Sequence, residues 1–269
     1  MSGDFEPVDA IHTRIWNEEP EADNPFSARS ASCHGYDVFG EMLGNARWVE
    51  MLFLLFRGEA PTEWQADLLE AVAVALANPG PRDPSVHAAM CAGVCGSTAA
   101  SSLIAALAAG AGGISGGREV QLVLREWREN GMDLSAWERR LASKEARGLD
   151  IWPDLEHPPG FEPYGVSRAT TVKQAMACFA RISSGPHLRW LSMNVDALER
   201  VAERPLALSG VAAAAFHDLG FSADEGELLH LILRLPGAAA HALEQKGYGF
   251  RKFPFFSVDV ENDPEKERQ

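Results

Sequence analysis

The sequence is poor in cysteine and has no long apolar run, and each shortage excludes a class of protein. Four cysteines in 269 residues do not form the dense disulfide framework of a small secreted domain. There is no CxxC motif and no His–Cys cluster, and Cys91 and Cys95 are more typical of small core residues than of a metal pair, so we expect no metal site. No apolar stretch reaches the roughly 18 residues that cross a membrane, and the acidic, proline-containing start is unlike a signal or transit peptide. We therefore expect a cytoplasmic protein without a membrane partner.

Basic residues are in the minority. The chain has 24 Lys and Arg against 38 Asp and Glu, which gives a net charge of −14. This balance argues against nucleic acid or an anionic membrane as a partner. The net charge of the whole chain does not describe any single cleft, so it is compatible with a local basic pocket for an anionic ligand. The length suits one compact unit, or one large domain with a smaller one.

Strand-like alternation is almost absent, and apolar residues recur at helical spacing along most of the chain, so the predicted fold class is all-α. A buried helix is expected to end at Gly58, and Thr62 to cap the next one. Ser85 is predicted to begin one long Ala-, Gly- and Ser-rich helix over 86–110, which packs in the core or at a dimer face. The glycines of 111–117 predict a bend. Further helices are predicted over 118–130, 134–147, 169–182, 188–204, 209–221 and 222–247.

One predicted loop is unusually long. Residues 150–165 (DIWPDLEHPPGFEPYG) carry four prolines and two glycines. Loops of this length inside compact domains are often functional.

Seven segments, in order, resemble the citrate synthase family, and most closely its citryl-CoA lyase branch, which includes the last module of ATP-citrate lyase. They are CHGYDVFGEML, VEMLFLLFRGEAPTEWQADLL, ALANPGPRDPSVHAAMCAG, AAGAGGISGGREV, PPGFEPYGVSRA, PLALSGVAAAAFHDLGF and LILRLPGAAAHALEQK. The resemblance implies a citrate synthase-like fold with a large helical domain (1–144 and 209–269), a smaller one (145–208) and a cleft between them. It also implies a homodimer, or a heterodimer with a paralogue. The implied substrates are a coenzyme A thioester and a small carboxylic acid.

The chain departs from the resemblance where the family holds its acid–base groups. Pro79, Ser115 and Pro163 stand where family members have histidines, although the lyase branch already lacks the second one. Ser209 stands where they have an aspartate, because PLALSG fits the family's PLNVDG. Asn194-Val195-Asp196 repeats the letters NVD, but it lacks the preceding Pro-Leu and is expected to be a solvated helix segment. Proline has no side-chain proton to exchange, so unaltered citrate synthase activity is not expected.

Several polar residues near the implied cleft are candidates for catalysis. Ser115 and Ser209 occupy two of the altered positions, and Glu162 precedes Pro163. His87 matches a family histidine and is either catalytic or a hydrogen-bonded core residue. His157 is the titratable imidazole of the predicted loop and is a candidate replacement base.

Other residues are candidates for binding. Arg234 matches an arginine that clamps a substrate carboxylate, or it snorkels from a core helix. Arg251, or the adjacent Lys252, matches an arginine that, in the family, contributes to the active site of the other subunit. The resemblance places three residues along the CoA thioester: Arg168, Gly160 and Phe161. Surface solvation is the alternative for Arg168, and packing alone is expected for His241.

Three functions fit this sequence. The first is an enzyme that makes or breaks a carbon–carbon bond between an acyl-CoA and a 2-oxo or dicarboxylic acid with an altered site. The second is an inactive partner or regulatory subunit of a competent paralogue. The third is a sensor of CoA or a dicarboxylate.

Overall fold

The computed structural model describes residues 12–143, 157–254 and 256. The chain divides into two compact units. Unit 1 is Met1–Ala75 with Gly113–His230, and unit 2 is Leu76–Gly112 with Leu231–Gln269. The division into a large and a small domain at 145 and 209 stays a prediction. Its first boundary lies outside the described residues, as do 150–156 of the predicted loop and the charged C-terminal tail from 257.

Helices make up most of the described chain, which confirms the all-α prediction. The first helix ends at Gly58, as predicted, and the glycine-rich bend precedes α5. The α-helices are α1 (Trp48–Arg57), α2 (Glu63–Leu76), α3 (Pro84–Val94), α4 (Ala99–Gly110), α5 (Gly117–Asn130), α6 (Leu134–Ala142), α7 (Thr170–Ile182), α8 (His187–Ala202), α9 (Leu208–Asp218) and α10 (Ala223–Tyr248).

A small antiparallel sheet near the start of unit 1 was not predicted. Its strands, in order, are β1 (Trp16–Pro20), β2 (Ala28–Cys33) and β3 (Tyr36–Asp37). The buried positions of β2 are Ala31 and Cys33, and such small side chains give almost no apolar alternation in the sequence. A short π-helical turn (Val38–Met42) follows the sheet.

The core of unit 1 forms around α9. Every residue of α9 from Ser209 to Phe216 is buried, and α5, α7 and α8 pack against this helix. The largest fully buried side chains of unit 1 include Trp127, Phe53 and Phe179. Burial of each such side chain contributes about 1.5–3 kcal/mol to the stability of the unit.

The prediction of one long helix after Ser85 is wrong, because unit 2 has two helices, α3 and α4, in this range. The first helix, α3, has Asp83 as its N-cap, and the Asp83 carboxylate accepts the Ser85 N–H at 2.9 Å. Pro84 occupies the first helical position, where its missing N–H costs nothing. The chain then breaks at Gly96, whose φ of 79° lies in the left-handed region, and Thr98 caps α4. Ala-rich composition hid this break, because both helices share the same small residues.

Small residues also allow the helices of unit 2 to pack closely. The second half of α10 packs on α3 and α4 through a core of alanine and valine side chains. The members of this core are Val86, Ala89, Ala106, Ala238 and Ala242. On the outer side of α4, Ile104 is 65% exposed and Leu107 is 36% exposed, and this helix carries no charged residue.

Candidate active site

Glu119 is the centre of a buried polar cluster in unit 1. It lies in the first turn of α5, directly after the glycine-rich bend, and is 1% exposed. The Ser115 N–H donates to its Oε2 at 2.5 Å, and Ser115 itself has a φ of 54°. An acidic side chain at a helix N-terminus is favoured by the helix dipole. The bend therefore supplies one backbone N–H to the carboxylate.

The second element of the cluster is the segment 157–162. The Gly160 N–H donates to Glu119 Oε1 at 2.7 Å, so one carboxylate joins this segment to the bend. Gly160 has a φ of 84°, and a Cβ here would meet the Gly210 Cα at 3.2 Å. Both the left-handed backbone and the close approach require glycine at this position. The predicted position of this glycine along the CoA thioester stays a prediction.

A third segment, 205–207, pairs with the second. The Glu162 N–H donates to the Pro205 carbonyl at 2.8 Å, and the Ala207 N–H donates to the Gly160 carbonyl at 2.9 Å. This pairing leads directly into α9, where Ser209 is 5% exposed. No hydrogen-bond partner for the Ser209 Oγ is found among the described residues.

Two titratable side chains lie beside Glu119. The His157 Nε2 is 3.8 Å from Glu119 Oε1; both groups are buried, and this nitrogen has no hydrogen bond within the described chain. Burial raises the pKa of the half-buried Glu162, and the negative charge of Glu119 raises it further, while His157 opposes the rise. A carboxyl with a raised pKa exchanges its proton closer to neutral pH than an exposed glutamate does.

The structure brings together most of the catalytic candidates and adds one that sequence reasoning missed. Those brought together in unit 1 are Ser115, His157, Gly160, Phe161, Glu162 and Ser209. Half-buried Pro163 follows Glu162. The missed residue is Glu119, which shares a helix face with the buried Val123 and Trp127. The sequence did contain a signal for Glu119. This glutamate has the same helical spacing as the buried apolar residues of α5, and it directly follows the glycine bend.

Arg168 is engaged by two carboxylates. Its Nε donates to Glu199 Oε1 at 2.7 Å, and its Nη2 lies 2.5 Å from Asp196 Oδ1. These hydrogen bonds raise the pKa of Arg168. The Arg168 side chain is only 12% exposed, so its interpretation as a solvated surface residue is wrong. Asp196 is 88% exposed on the surface of α8, as expected for a helix segment in water.

The other candidates belong to unit 2. Arg234 is 6% exposed and forms an ion pair with Asp83, so the snorkelling alternative is wrong. His87 is half-buried, and its ring centroid lies 6.0 Å from that of Phe253. Pro79 and Arg251 are exposed. His241 lies 3.4 Å from a carboxylate oxygen of Glu244.

Two general properties concern the described residues alone. They contain no group of three or more His, Cys, Asp or Glu side chains placed to hold a metal ion. They also contain no helix both long enough and apolar enough to pass through a membrane.

The chain matches no protein-family model and no curated protein sequence. Among solved structures, it is similar to citryl-CoA lyase from Hydrogenobacter thermophilus, with a TM-score of 0.70 and 20% identity over 96% of this chain and 99% of that one. It is also similar to ATP citrate lyase from Methanothrix soehngenii in complex with citrate and coenzyme A, with a TM-score of 0.71 and 20% identity. That match covers 98% of this chain but 43% of the lyase.

Citrate synthase from Thermotoga maritima is a third similar structure, with a TM-score of 0.60 and 19% identity over 82% of this chain and 61% of that one. At identities this low, the structural similarity establishes the fold alone, and the chemistry has to be argued from the site. The chain has the citrate synthase-like fold, in agreement with the resemblance of its seven segments.

Proposed function

We propose that the chain makes or breaks a carbon–carbon bond between an acyl-CoA thioester and a 2-oxo or dicarboxylic acid, using an altered acid–base set in unit 1. The observation that carries the proposal is the convergence of Glu119, His157 and Glu162. They lie on or beside the segments that correspond, by resemblance, to those holding the family's acid–base groups. At those positions the chain has proline or serine instead of an acid–base side chain, and three titratable side chains lie nearby.

Each member of this set has a distinct role in the proposal. Glu162 is half-buried and is therefore the member that reaches substrate. Its raised pKa brings its proton exchange closer to neutral pH, where a group must take a proton from carbon or return one. His157 and Glu119 are buried, and both act on the pKa of Glu162. Glu119 also fixes the bend and the 157–162 segment through two backbone N–H groups.

Substrate identity follows from similarity and is part of the proposal. The Methanothrix soehngenii lyase structure contains citrate and coenzyme A, and the present chain covers less than half of that protein. By the resemblance, residues 160–161 would lie along the thioester arm. The chain is proposed to act in the cytoplasm.

A dimer is part of the same proposal. The exposed Ile104 and Leu107 lie on α4, a helix without any charged side chain. An exposed apolar helix face is typical of a surface that another protein covers. A second copy of the chain, or a paralogue, is the proposed occupant.

Turnover by the purified protein tests the proposal. We expect acetyl-CoA and oxaloacetate to form from citryl-CoA. In the opposite direction, we expect acetyl-CoA and oxaloacetate to give citryl-CoA, or citrate and free CoA if water then hydrolyses the thioester. The variant Glu162→Gln keeps the shape of the side chain but cannot exchange a proton, and it should lower kcat by about 10²–10⁴-fold. Glu129→Gln is the matched control, because Glu129 is an exposed glutamate on α5. Turnover that is equal in both variants, or absent from the wild type, contradicts the proposal.

One observation favours a second function, an inactive partner subunit. The guanidinium of Arg234, which the resemblance assigns to a substrate carboxylate, is already bound by the carboxylate of Asp83. On this alternative the chain stabilises or regulates a competent paralogue. Co-purification from native extract tests it: turnover that appears only with a citrate-synthase-fold partner supports it, and self-association with turnover by the chain alone contradicts it.

A further inference from the structure

The described part of the chain ends at an open groove of unit 2. The groove encloses about 680 Å³, and all of its described lining residues belong to unit 2. We call it the terminal groove and define it by Arg82, His87, Met90, Lys252 and Phe253. The last described residue, Phe256, lines it as well and is 72% exposed. The chain therefore leaves Phe256 directly at the groove.

Three elements of unit 2 build the terminal groove. Arg82 comes from the turn before α3, and His87 and Met90 lie on α3 itself. Lys252 ends a short 3₁₀ turn (Phe250–Lys252) that follows α10. Met90 also packs against the alanine and valine core of the unit. One side of the groove is therefore attached to the packed interior, and the other is formed by the chain after α10.

The terminal groove combines positive charge with apolar side chains. None of its described lining residues is acidic, although the chain has a net charge of −14. Within the described chain no carboxylate oxygen lies within 4.0 Å of the Arg82 or Lys252 side-chain nitrogens, whereas two carboxylates bind Arg168. The His87 and Phe253 rings, 6.0 Å apart, border the same space. Such a surface is suited to a segment that carries both carboxylates and apolar side chains.

The sequence that follows Phe256 carries both kinds of group in alternation. Residues 257–261 read SVDVE, with valines at 258 and 260 and acidic residues at 259 and 261. Successive side chains of an extended chain point to opposite sides, so an extended SVDVE segment places its valines on one side and its carboxylates on the other. No lysine or arginine follows Phe256 until Lys266. The segment therefore offers carboxylates for the cations of the groove and valines for its apolar lining.

The segment is also close enough to return to the terminal groove. A chain spans at most about 3.6 Å per residue, so residues 257–261 reach no further than about 18 Å from Phe256. Phe256 already lines the groove, and Lys252 precedes it closely in the sequence. A segment tethered over so few residues has an effective concentration in the millimolar range, at which weak contacts are sufficient.

We propose that residues 257–261 occupy the terminal groove of their own chain. The two carboxylates of the segment pair with Arg82 and Lys252, and its two valines cover the apolar lining. The groove is then closed to any other acidic segment unless the tethered one is displaced, so the contact is self-inhibitory. Because both cations are exposed, salt screens these ion pairs and opens the groove.

A labelled peptide tests whether the terminal groove is already occupied. The peptide has the sequence of residues 256–263 and a fluorescein at its N-terminus, and its anisotropy reports binding to the full chain. The double variant Asp259→Asn with Glu261→Gln removes both carboxylates of the tethered segment and frees the groove. It should bind the peptide at least about tenfold more tightly than the wild type, in which the tethered segment competes. Equal binding by both chains, or no binding to the double variant at its highest soluble concentration, overturns the proposal.

Further changes in the double variant identify the residues that receive the peptide. Arg82→Gln with Lys252→Gln should weaken peptide binding at least about tenfold, because two charge-assisted contacts are lost. Lys246→Gln is the matched control, since it removes an exposed charge on α10 outside the groove lining. All three side chains are exposed, so the thermal midpoint should not change. A peptide that carries the same two acid-to-amide changes should not bind. Equal losses in the control and the groove variant, or equal binding of the two peptides, overturn the proposal.

Sedimentation separates a contact within one chain from an exchange between two copies. We expect the wild type and the double variant to have the same mass from low to high micromolar concentration. A double variant that dissociates where the wild type is associated would place the segment in a second copy, and the proposal would be wrong. None of these measurements uses an acyl-CoA or turnover, so their failure leaves the proposed function untouched, and a chain without turnover can still pass them.

Discussion

The two units each contain a buried acidic side chain, and they handle its charge differently. In unit 2, Asp83 is 10% exposed and forms an ion pair with Arg234, a permanent cation. In unit 1, Glu119 is held by two backbone N–H groups and lies beside His157, and its charge helps to raise the pKa of Glu162. The first arrangement fixes a structure, whereas the second allows the local charge to change. Only the second is suited to acid–base chemistry.

The largest expected effect comes from breaking the fixed pair in unit 2. Arg234→Met leaves the Asp83 carboxylate buried without its cation, and should lower the free energy of unfolding by about 3–5 kcal/mol. Urea unfolding followed by circular dichroism measures this. The double variant Arg234→Met with Asp83→Leu should recover part of the loss, because no charge is then left buried. A single variant as stable as the wild type would show that this pair has no structural role.

Glu119→Gln should have a smaller effect on stability and a specific effect on Glu162. The amide retains one oxygen for two backbone donors, so a loss of about 1–3 kcal/mol is expected. Because the Glu119 charge raises the pKa of Glu162, the variant should lower that pKa toward its ordinary value. A carboxyl-carbon NMR titration of Glu162 measures the change. With Glu129→Gln as control, an unchanged Glu162 titration would show that the two carboxylates are not coupled.

The positions of most helices could be predicted, and the charge networks could not. Regular apolar spacing marked α5, α7 and α8 because each buries one face. The positions at which the chain departs from the resemblance could also be named, since the order of the segments gives their place. The partners Asp83 and Arg234, however, are 151 positions apart, and Arg168 and Glu199 are 31 apart. Such pairs are determined by packing between elements, and no local pattern contains them.

A third test concerns acid sensitivity in unit 1. Burial, together with the smaller effect of the nearby His187, lowers the pKa of His217 to about 4, while the charge of Asp218 opposes the shift. The His187 and His217 rings are 4.2 Å apart, and His187 Nδ1 lies 2.8 Å from Asp218 Oδ1. In the folded state His217 is therefore neutral between pH 6.5 and about 4, where the unfolded chain binds a proton.

Stability from His217 is thus complete above pH 6.5 and declines as the pH falls toward 4. The loss should be about 1–2 kcal/mol after allowance for solvent screening. Unfolding free energies measured at pH 7, 5.5 and 4.5 give the slope. Intrinsic tryptophan fluorescence follows the unfolding, with Trp127, which stacks on His217, among the seven tryptophans that contribute to it. His217→Leu should reduce the slope. A slope that is the same in the variant and the wild type would assign the acid sensitivity to other groups.

The smallest predicted effect separates two carboxylates that bind the same arginine. Glu199 Oε1 accepts both Arg168 Nε and the Leu206 N–H at 2.8 Å, so it supports the segment that pairs with 160–162. Within the described chain, the Asp196 carboxylate accepts a hydrogen bond from Arg168 alone, and it is 88% exposed. Asp196→Asn should therefore change stability by less than about 0.5 kcal/mol, and Glu199→Gln should cost about 1 kcal/mol. The 205–207 segment pairs with Gly160 and Glu162, so only the Glu199 variant should also shift the pKa of Glu162. A shift in both variants would mean that Arg168, rather than the Glu199 carboxylate, controls the pKa of Glu162.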